Sequence, residues 1–232
     1  MTRPDILYGL EIPYDKPVEE LVQLTKDKPP SCWNAYTALA YNTSDRAIDA
    51  LDSMLTNPDW THVRSAIEAI GKNSNGLKLE NKLIDLLGNS NKFIVTAAIK
   101  ALSNLKSQKA HDKIKALILF ENLEIRQAAI EGLSNIWQLS DFDFLLDLGK
   151  HITNDTITKT IGFVLVEHVD KSNWKSFFNN YSKDTITRHR EWSLCFANEF
   201  SSDRTLIEPF ILDKDGHIRK KAKQFMETTK SA

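Results

Sequence analysis

A unit of 31 or 32 residues recurs along the sequence, and this period restricts the fold more than any other feature. Steps of that length from Ile130, the residue that defines our marker position, reach Tyr36, Ile67, Ile99, Ile161, Trp192 and Lys223. Three residues after each marker stands an apolar or sulfur-containing residue: Leu39, Ile70, Leu102, Leu133, Val164, Cys195 and Met226. A fixed period with apolar residues in register indicates an array of structural repeats that pack on their neighbours.

Each unit also carries signals for the start of a helix. Eight residues before the marker stands a side chain that can cap a helix N-terminus: Asp59, Asn91, Asn122, Thr153, Asp184 and Asp215. The first unit has Lys28 at this position, and Ser31 could cap its helix instead. Because apolar residues follow the cap at spacings of three and four, and a second such segment precedes it, the sequence predicts two helices per unit.

We therefore predict an all-α fold, an α-solenoid of about seven helix pairs that forms a single domain over residues 17–232. The first helices are expected at 17–26, 45–56, 77–87, 109–120, 141–151, 173–181 and 204–212, and the second helices at 31–41, 60–71, 92–105, 123–137, 155–168, 185–200 and 217–228. We predict no strand. Residues 1–16 do not fit the repeat, and their apolar residues predict a strap that caps the N-terminal end of the stack: Ile6, Leu7, Tyr8, Leu10 and Ile12.

The composition excludes several classes of protein. The net charge is −1, so no bulk electrostatic field attracts the chain to nucleic acid or to anionic lipid. No apolar run approaches the roughly 18 residues that a membrane span needs, and the N-terminal residues lack the apolar segment of a signal peptide. We expect a cytoplasmic protein. Its two cysteines, Cys32 and Cys195, lie five units apart, so we expect two free thiols, with Cys195 acting as a small core residue.

The string Ile-Arg-Gln-Ala-Ala-Ile-Glu-Gly-Leu at residues 125–133 resembles the HEAT repeat, in particular the short bacterial variety of phycobilisome lyase subunits. The resemblance covers about residues 17–229, although the unit around Ile161 departs from the pattern, with Ile157 in place of the arginine. It implies a right-handed α-α superhelix in which the second helices line the concave side, where ligands of the family usually bind. It also implies that Arg126, Arg188 and Arg219 hold the turn and the neighbouring repeat together.

If the second helices line a groove, its walls are formed by the side chains that stand three residues before, one residue after and five residues after each marker. These positions hold a mixture of polar, charged and aromatic side chains, which suits another protein better than a small molecule. The candidate partner-binding residues on the concave face are Trp33, Tyr41, Arg64, Glu68, Lys100, Gln127, Glu131, Asn135, His189 and Lys220. The competing interpretation of each position is a solvated groove wall.

Motifs for catalysis are missing from the sequence. It contains no Gly-rich phosphate loop, no His-Glu-x-x-His and no Gly-x-Ser-x-Gly, and the six histidines are scattered over different units. Asp141, Asp143 and Asp147 crowd the start of a first helix, where carboxylates favour the positive end of the helix. We therefore expect no catalytic residue, no cofactor and no metal.

Three functions remain open at this point. The favoured hypothesis is a monomeric, non-enzymatic protein that grips a protein partner, as an adaptor, inhibitor, immunity protein or assembly factor. The runner-up is a DNA-binding or DNA-repair protein similar to HEAT-like alkylpurine DNA glycosylases. A basic cluster between Arg188 and Lys223, together with Trp192, favours it, although a polar cap on the last repeat is the more ordinary interpretation of that cluster. A bilin-lyase-like subunit is the third.

Overall fold

The computed structural model describes residues 4–7, 9–152 and 154–227. The chain divides into two compact units between Trp137 and Gln138. In the first unit the helices alternate between the two positions of the predicted pairs: α1 Val18–Leu24, α2 Ser31–Tyr41, α3 Asp45–Met54, α4 Trp60–Ile70, α5 Glu80–Leu86, α6 Lys92–Asn104, α7 His111–Leu117 and α8 Leu123–Asn135. The even-numbered helices of this unit are the second helices of the pairs, and each contacts the next: α2 on α4, α4 on α6, and α6 on α8.

Short polar side chains start most of the second helices, as the repeat predicts. Asp59 accepts a hydrogen bond from the Thr61 backbone N–H at 2.9 Å, and Asn91 accepts one from the Phe93 N–H at 2.9 Å. Asn122 caps α8 in the same way. Such caps satisfy backbone donors that have no partner inside the helix. By contrast, α2 begins after Pro30 with no side-chain cap, so the capping role predicted for Ser31 is wrong. The later helix Thr187–Phe200 likewise has no side-chain hydrogen bond from its cap residue, Ile186.

Small residues bring the second helices of the first unit close together. The core of this unit is rich in alanine, with Ala35, Ala66, Ala98 and Ala129 all fully buried. A Cβ atom added at Gly71 would stand 2.6 Å from the Cα atom of Ala101 on α6, which is closer than van der Waals contact allows. The backbones of neighbouring repeats therefore approach each other directly, and the apolar stripe that one pair cannot bury alone is covered by the next pair.

The N-terminal strap contains two short strands, which is a correction to the prediction that no strand occurs. β1 (Ile6–Leu7) pairs antiparallel with β2 (Leu10–Glu11), and Gly9 adopts a φ of 76° in the turn between them. Beyond the turn, Ile12 is buried, whereas the predicted strap residue Tyr8 lies outside the described residues. The amide of Asn34 on α2 donates to the carbonyl oxygens of Leu7 and Leu10 at 3.3 and 3.4 Å, which fastens the hairpin to the first helix pair.

The second unit continues the helix pairs with a different core. Its α-helices are α9 Ser140–His151, α10 Asp155–Glu167, α11 Trp174–Tyr181, α12 Thr187–Phe200 and α13 Gly216–Glu227. Asn154 caps α10, and the cap predicted at Thr153 lies outside the described residues. Aromatic rings dominate the packing: Phe177 meets Phe196 edge to face at 5.4 Å, and Trp174 stacks on Phe200 at 6.4 Å.

Three predicted first helices are wholly or partly 3-10 helices. The helix expected at 204–212 is replaced by Arg204–Leu206 and Glu208–Leu212, and the segments Gly76–Leu79 and Gln108–Ala110 precede α5 and α7. Pro209 explains the first case, because it lacks the N–H that an α-helix through this segment would need. With these changes the predicted fold class, an all-α solenoid of helix pairs, is confirmed. Within the described ranges no helix is long and apolar enough to cross a membrane.

Candidate functional site

One surface of the first unit is formed by α2, α4, α6 and α8 on the side that the first helices do not cover, and we call it the second-helix face. Eight of the predicted partner-binding residues belong to these helices. Trp33, Arg64, Glu68, Lys100, Glu131 and Asn135 are exposed, and Tyr41 and Gln127 are partly exposed. Their side chains share a face because the marker positions beside them point into the stack, and turns of 3.6 residues place the predicted columns on the other side.

A pocket of about 410 Å³ opens on this face between α2 and α4. Three of the predicted residues line it: Trp33, Arg64 and Glu68. Trp60, at the start of α4, and Lys72, just after its end, complete the rim. Trp33 and Trp60 are 44% and 38% exposed, so two large indole rings stand open to solvent at one concavity. Exposed aromatic rings around a pocket are the usual anchors of a binding site.

The charges of the pocket leave one cation unpaired. Arg64 donates from Nε to Glu68 Oε1 at 2.8 Å, in the i,i+4 arrangement along α4. Both side chains of this pair are almost half exposed, so it contributes at most about 1 kcal/mol to stability. The side chain of Lys72 makes no hydrogen bond or ion pair within the residues that the structure describes. Glu68 is therefore already bound by Arg64, and the Lys72 ammonium can bind an acceptor group of a ligand.

A buried tyrosine forms part of the pocket wall. Tyr36 on α2 is 5% exposed, and its hydroxyl lies 3.0 Å from Nδ1 of His62 on α4. Burial raises the pKa of Tyr36 to about 12, so the phenol stays neutral at physiological pH. The Tyr36–His62 contact links α2 and α4 at the wall of the pocket.

The sequence prediction missed an aromatic pair beside this pocket. Trp60 stacks on Phe93 of α6, with ring centroids 5.0 Å apart and an angle of 16° between the planes. The ammonium of Lys92 lies 5.0 Å from the Phe93 centroid and also bonds Glu124 on α8 at 2.8 Å. These residues stand at helix starts, outside the three columns. The signal that could have revealed them is a large apolar residue within two positions after the cap, at Trp60, Phe93 and Leu123.

The other predicted residues of this face lie apart from the pocket. On α8, Gln127 donates to Glu131 at 2.9 Å, and Asn135 accepts from Lys106 at 3.0 Å. The side chain of Lys100 on α6 makes no hydrogen bond or ion pair in the described part of the chain. Tyr41, at the end of α2, packs edge to face on Tyr14 at 6.1 Å. Tyr41 thus supports the N-terminal segment and does not line the pocket.

The two remaining predicted residues belong to the second unit, and one of these predictions needs correction. His189 on α12 is only 1% exposed, so its side chain cannot form an accessible groove wall. Its Nδ1 atom lies 3.0 Å from Oδ2 of Asp184, and its ring packs against Gly162, where an added Cβ would stand 2.1 Å from Nε2. Because Gly162 has no side chain, the imidazole fits into the core at this position. Lys220 on α13 is exposed, as expected.

Two of the three arginines predicted to hold turns do so, and one does not. Arg126 donates to the carbonyl of Ile118 at 3.0 Å, and Arg219 donates to the carbonyls of Asp213 and Lys214. Arg188 instead projects to the surface and pairs with Glu191 at 3.0 Å. Arg190 takes the structural role in that repeat.

Arg190 is a buried connector between successive turns. It bonds the Asp184 and Thr185 carbonyls of its own turn and both carboxylate oxygens of Asp213 in the next turn, at 2.8 and 3.0 Å. The side chains of Arg190 and Asp213 are only 5% and 7% exposed. A bidentate pair of this kind has strict geometry.

Much of the basic cluster between residues 188 and 223 is neutralised by acidic partners. Glu191 binds three cationic or titratable groups, since it accepts from Arg188 and Lys221 at 3.0 Å and lies 3.3 Å from His217. These contacts hold the pKa of Glu191 below its usual value although its partial burial opposes the shift. Exposed lysines without a partner among the described residues are left at 220 and 223.

The described residues contain no group of three or more His, Cys, Asp or Glu side chains that could hold a metal ion. Both cysteines are free thiols, as predicted. Cys32 is buried, which raises the pKa of its thiol. Cys195 is only partly buried and so is more exposed than the predicted core position.

Comparisons with known proteins support the fold and nothing finer. No protein-family model matches the sequence, and no curated protein matches it. An engineered protein solved by the Northeast Structural Genomics Consortium aligns with 90% of this chain and 67% of its own, with a TM-score of 0.53 and 17% identity.

Two further solved structures align less well. The complex of CpcE and CpcF of phycocyanin lyase from Nostoc sp. PCC7120 gives a TM-score of 0.44 at 14% identity, over 90% of this chain and 80% of that one. A designed armadillo repeat protein in complex with the peptide (KR)4 gives 0.40 at 14% identity, over 91% and 99%. The class that the fold defines is an all-α helical-repeat protein.

Proposed function

We propose that this chain is a HEAT-type repeat protein without enzymatic activity, which binds a protein partner through the second-helix face. The observation that carries the proposal is the pocket between α2 and α4, which is lined by two exposed tryptophans, Trp33 and Trp60, and by two cations, Arg64 and Lys72. In this proposal the protein is monomeric and cytoplasmic and acts as an adaptor, an inhibitor or an immunity-type protein.

The chemistry of the face favours a protein partner over a small metabolite. Protein interfaces combine a few aromatic anchors and arginines with a polar rim, and the anchors carry most of the binding energy. Here the Trp60–Phe93 stack and Trp33 supply the anchors. The rim continues along α6 and α8 with Lys100 and Glu131, well beyond the length of one small molecule. A segment of a partner chain that crosses α2, α4, α6 and α8 in turn would use all of these groups.

The charge distribution argues against the runner-up, a protein that acts on DNA. Such a protein needs several unpaired cations on one surface to neutralise phosphates. In the second unit Arg188 and Lys221 already share Glu191, and Arg190 is buried against Asp213. These ion pairs support the interpretation of the basic cluster as part of the structure of the last repeats.

Site-specific photocrosslinking tests the proposal. A photoreactive amino acid at Thr37, inside the pocket, should yield a discrete crosslinked protein in cells that express the chain natively. The same group at Asp49, on the exposed side of α3, should not yield it. Trp33→Ala/Trp60→Ala should abolish the crosslink, because it removes both aromatic anchors of the pocket.

The matched control removes exposed apolar surface elsewhere in the first unit. Leu77 and Leu119 are 52% and 64% exposed and lie outside the pocket, so Leu77→Ala/Leu119→Ala should retain the crosslink. Equal crosslinking from Thr37 and Asp49, or loss of the crosslink in the control, would contradict the proposal. Binding of duplex DNA at physiological salt, with a steep decrease as salt is added, would favour the runner-up.

A further inference from the structure

A second pocket, also of about 410 Å³, lies within the second unit on the side of the first helices. Its lining comes mainly from the end of α11, the turn before α12 and the 3-10 segments Arg204–Leu206 and Glu208–Leu212. The apolar part of this lining consists of Phe178, Leu206, Pro209 and Phe210. The volume falls in the range of about 300–1,000 Å³ that is typical of small-molecule sites.

The polar groups of this pocket carry an excess of positive charge. Lys183, Arg190 and Lys214 face two carboxylates, those of Asp184 and Asp213. Both carboxylates already have donors. Asp213 is bound by Arg190 and by the Asp215 backbone N–H at 2.8 Å, and Asp184 is bound by the Ile186 N–H at 2.9 Å and by His189.

The two lysines, by contrast, have no bound counter-ion. Among the described residues the side-chain ammonium of neither Lys183 nor Lys214 makes a hydrogen bond or an ion pair, and the Lys214 ammonium interacts with Asp213 only through longer-range electrostatics. The hydroxyl of Ser182, which also lines the pocket, has no hydrogen-bond partner there either. The pocket thus combines an apolar wall with two cations and a hydroxyl donor that have no acceptor.

We propose that this pocket binds a small organic carboxylate with an apolar body, such as a medium-chain fatty acid. The apolar body would pack on Phe178, Leu206 and Phe210, and the carboxylate would accept from Lys183 or Lys214 and from Ser182. The ligand needs a negative head group because every carboxylate in the lining is engaged while the lysines are not. It needs an apolar body because the lining residues Phe178, Leu206 and Pro209 would otherwise expose apolar surface to water.

The proposal is tested by titration of the full-length protein with octanoate. Binding is measured by calorimetry and by changes in the NMR chemical shifts of the protein. Octanoate should bind saturably, and octan-1-ol, which has the same chain without the charge, should bind at least about tenfold more weakly. Lys183→Gln/Lys214→Gln should also weaken octanoate binding by about tenfold or more, because a hydrogen bond to a charged group is lost. Lys171→Gln/Lys223→Gln, which removes two exposed lysines that do not line the pocket, should leave the affinity unchanged.

A steric variant distinguishes binding of octanoate in this pocket from a general affinity of octanoate for exposed lysines. Thr205→Trp keeps all charges but fills the pocket, so it should abolish octanoate binding while its thermal unfolding remains cooperative. Failure of octanoate to bind the native protein would overturn the proposal, as would equal binding of octanoate and octan-1-ol. Tighter binding of a peptide with an acidic, apolar C-terminus that competes with octanoate would assign the pocket to a partner chain and would also overturn it.

Discussion

The two units of this molecule pack the same kind of helix pair in different ways. In residues up to 137 the second helices meet through alanine and glycine, and a Cβ atom at Gly71 would collide with the backbone of α6. In residues from 138 onward the helices contact each other through aromatic rings. Phe163 lies edge to face on Trp192 at 4.9 Å, and Tyr181 lies 4.7 Å from His189.

This difference has consequences for polar groups. In the first unit, buried polar side chains bond backbone carbonyls of a neighbouring repeat: Asn73 donates to Leu39 at 3.0 Å, and Ser103 donates to Gly132 at 2.7 Å. Where large rings fill the space, polar atoms are trapped with them. Tyr181 Oη and His189 Nε2 are both buried without a hydrogen-bond partner among the described residues, although the first unit also has one such atom, Asn34 Oδ1. The same unit also holds the buried Arg190–Asp213 pair. The repeat pattern thus permits two solutions: buried polar side chains that bond the backbone of the next repeat in the first unit, and a buried arginine–carboxylate pair in the unit that packs through aromatic rings.

The largest expected effect comes from breaking the Arg190–Asp213 pair. Arg190→Met should lower the free energy of unfolding by about 3–5 kcal/mol, because the Asp213 carboxylate would remain buried without its partner. Urea denaturation followed by circular dichroism measures this. The double variant Arg190→Met/Asp213→Leu should recover most of the loss, since two apolar side chains of similar size replace the pair.

The matched control for this prediction is Arg188→Met. Arg188 pairs with Glu191 at a similar distance but its side chain is 59% exposed, so its removal should cost less than about 1 kcal/mol. If Arg188→Met were as destabilising as Arg190→Met, burial would not be what distinguishes the two arginines.

The next effect in size tests the close backbone approach in the first unit. Gly71→Ala should destabilise the protein by about 1–3 kcal/mol, because the added methyl group would stand 2.6 Å from the Ala101 Cα and the two helices would have to separate. Gly88→Ala is the control, since its new Cβ would be no closer than 3.6 Å to any neighbour. The control should be neutral or stabilising by up to about 1 kcal/mol. Equal losses in both variants would show that the helix contact is not tight.

Acid should weaken the second unit through Asp213. The hydrogen bond from Arg190 lowers the pKa of Asp213 below its ordinary value of 3.8. Between the folded and the unfolded pKa the unfolded chain binds more protons, so the stabilisation is complete above pH 3.8 and is lost as the pH falls through the folded value. Chemical unfolding between about pH 5 and about pH 2 should therefore show a smaller acid-induced loss in Arg190→Met/Asp213→Leu than in the native protein. Identical profiles would contradict this.

The second helices were the part of the fold that the sequence predicts best. The helix expected at 31–41 has those bounds in the structure, and α4, α6 and α8 end one or two residues early. Caps and apolar spacing are local properties, so they can be predicted from the sequence of each repeat without knowledge of its neighbours. Fewer sequence signals mark the first helices. Three of them are wholly or partly 3-10 helices in the structure, including the segment that contains Pro209.

The candidate site was only partly predictable, because exposure depends on what the neighbouring repeat supplies. The period makes Arg64 and His189 equivalent positions, yet Arg64 is exposed and His189 is buried. The difference arises from Gly162, which lies on α10 and leaves room for the imidazole. The Trp60–Phe93 stack likewise joins two repeats, and no single repeat contains it. A period identifies equivalent positions but does not give their contacts.

The smallest expected effect on stability belongs to the second-helix face, where the proposed function predicts a large effect on binding. Lys100→Glu/Glu131→Lys exchanges two exposed charges on α6 and α8, so the free energy of unfolding should change by less than about 0.5 kcal/mol. Capture of the partner that crosslinks from Thr37 should nevertheless decrease, because the charge pattern that the partner meets is inverted. Asp85→Lys/Lys113→Glu makes the same exchange on the first helices and should leave capture unchanged. Equal capture by both variants would mean that the partner contacts only the pocket between α2 and α4, and that the polar surface beyond α4 is solvated groove wall.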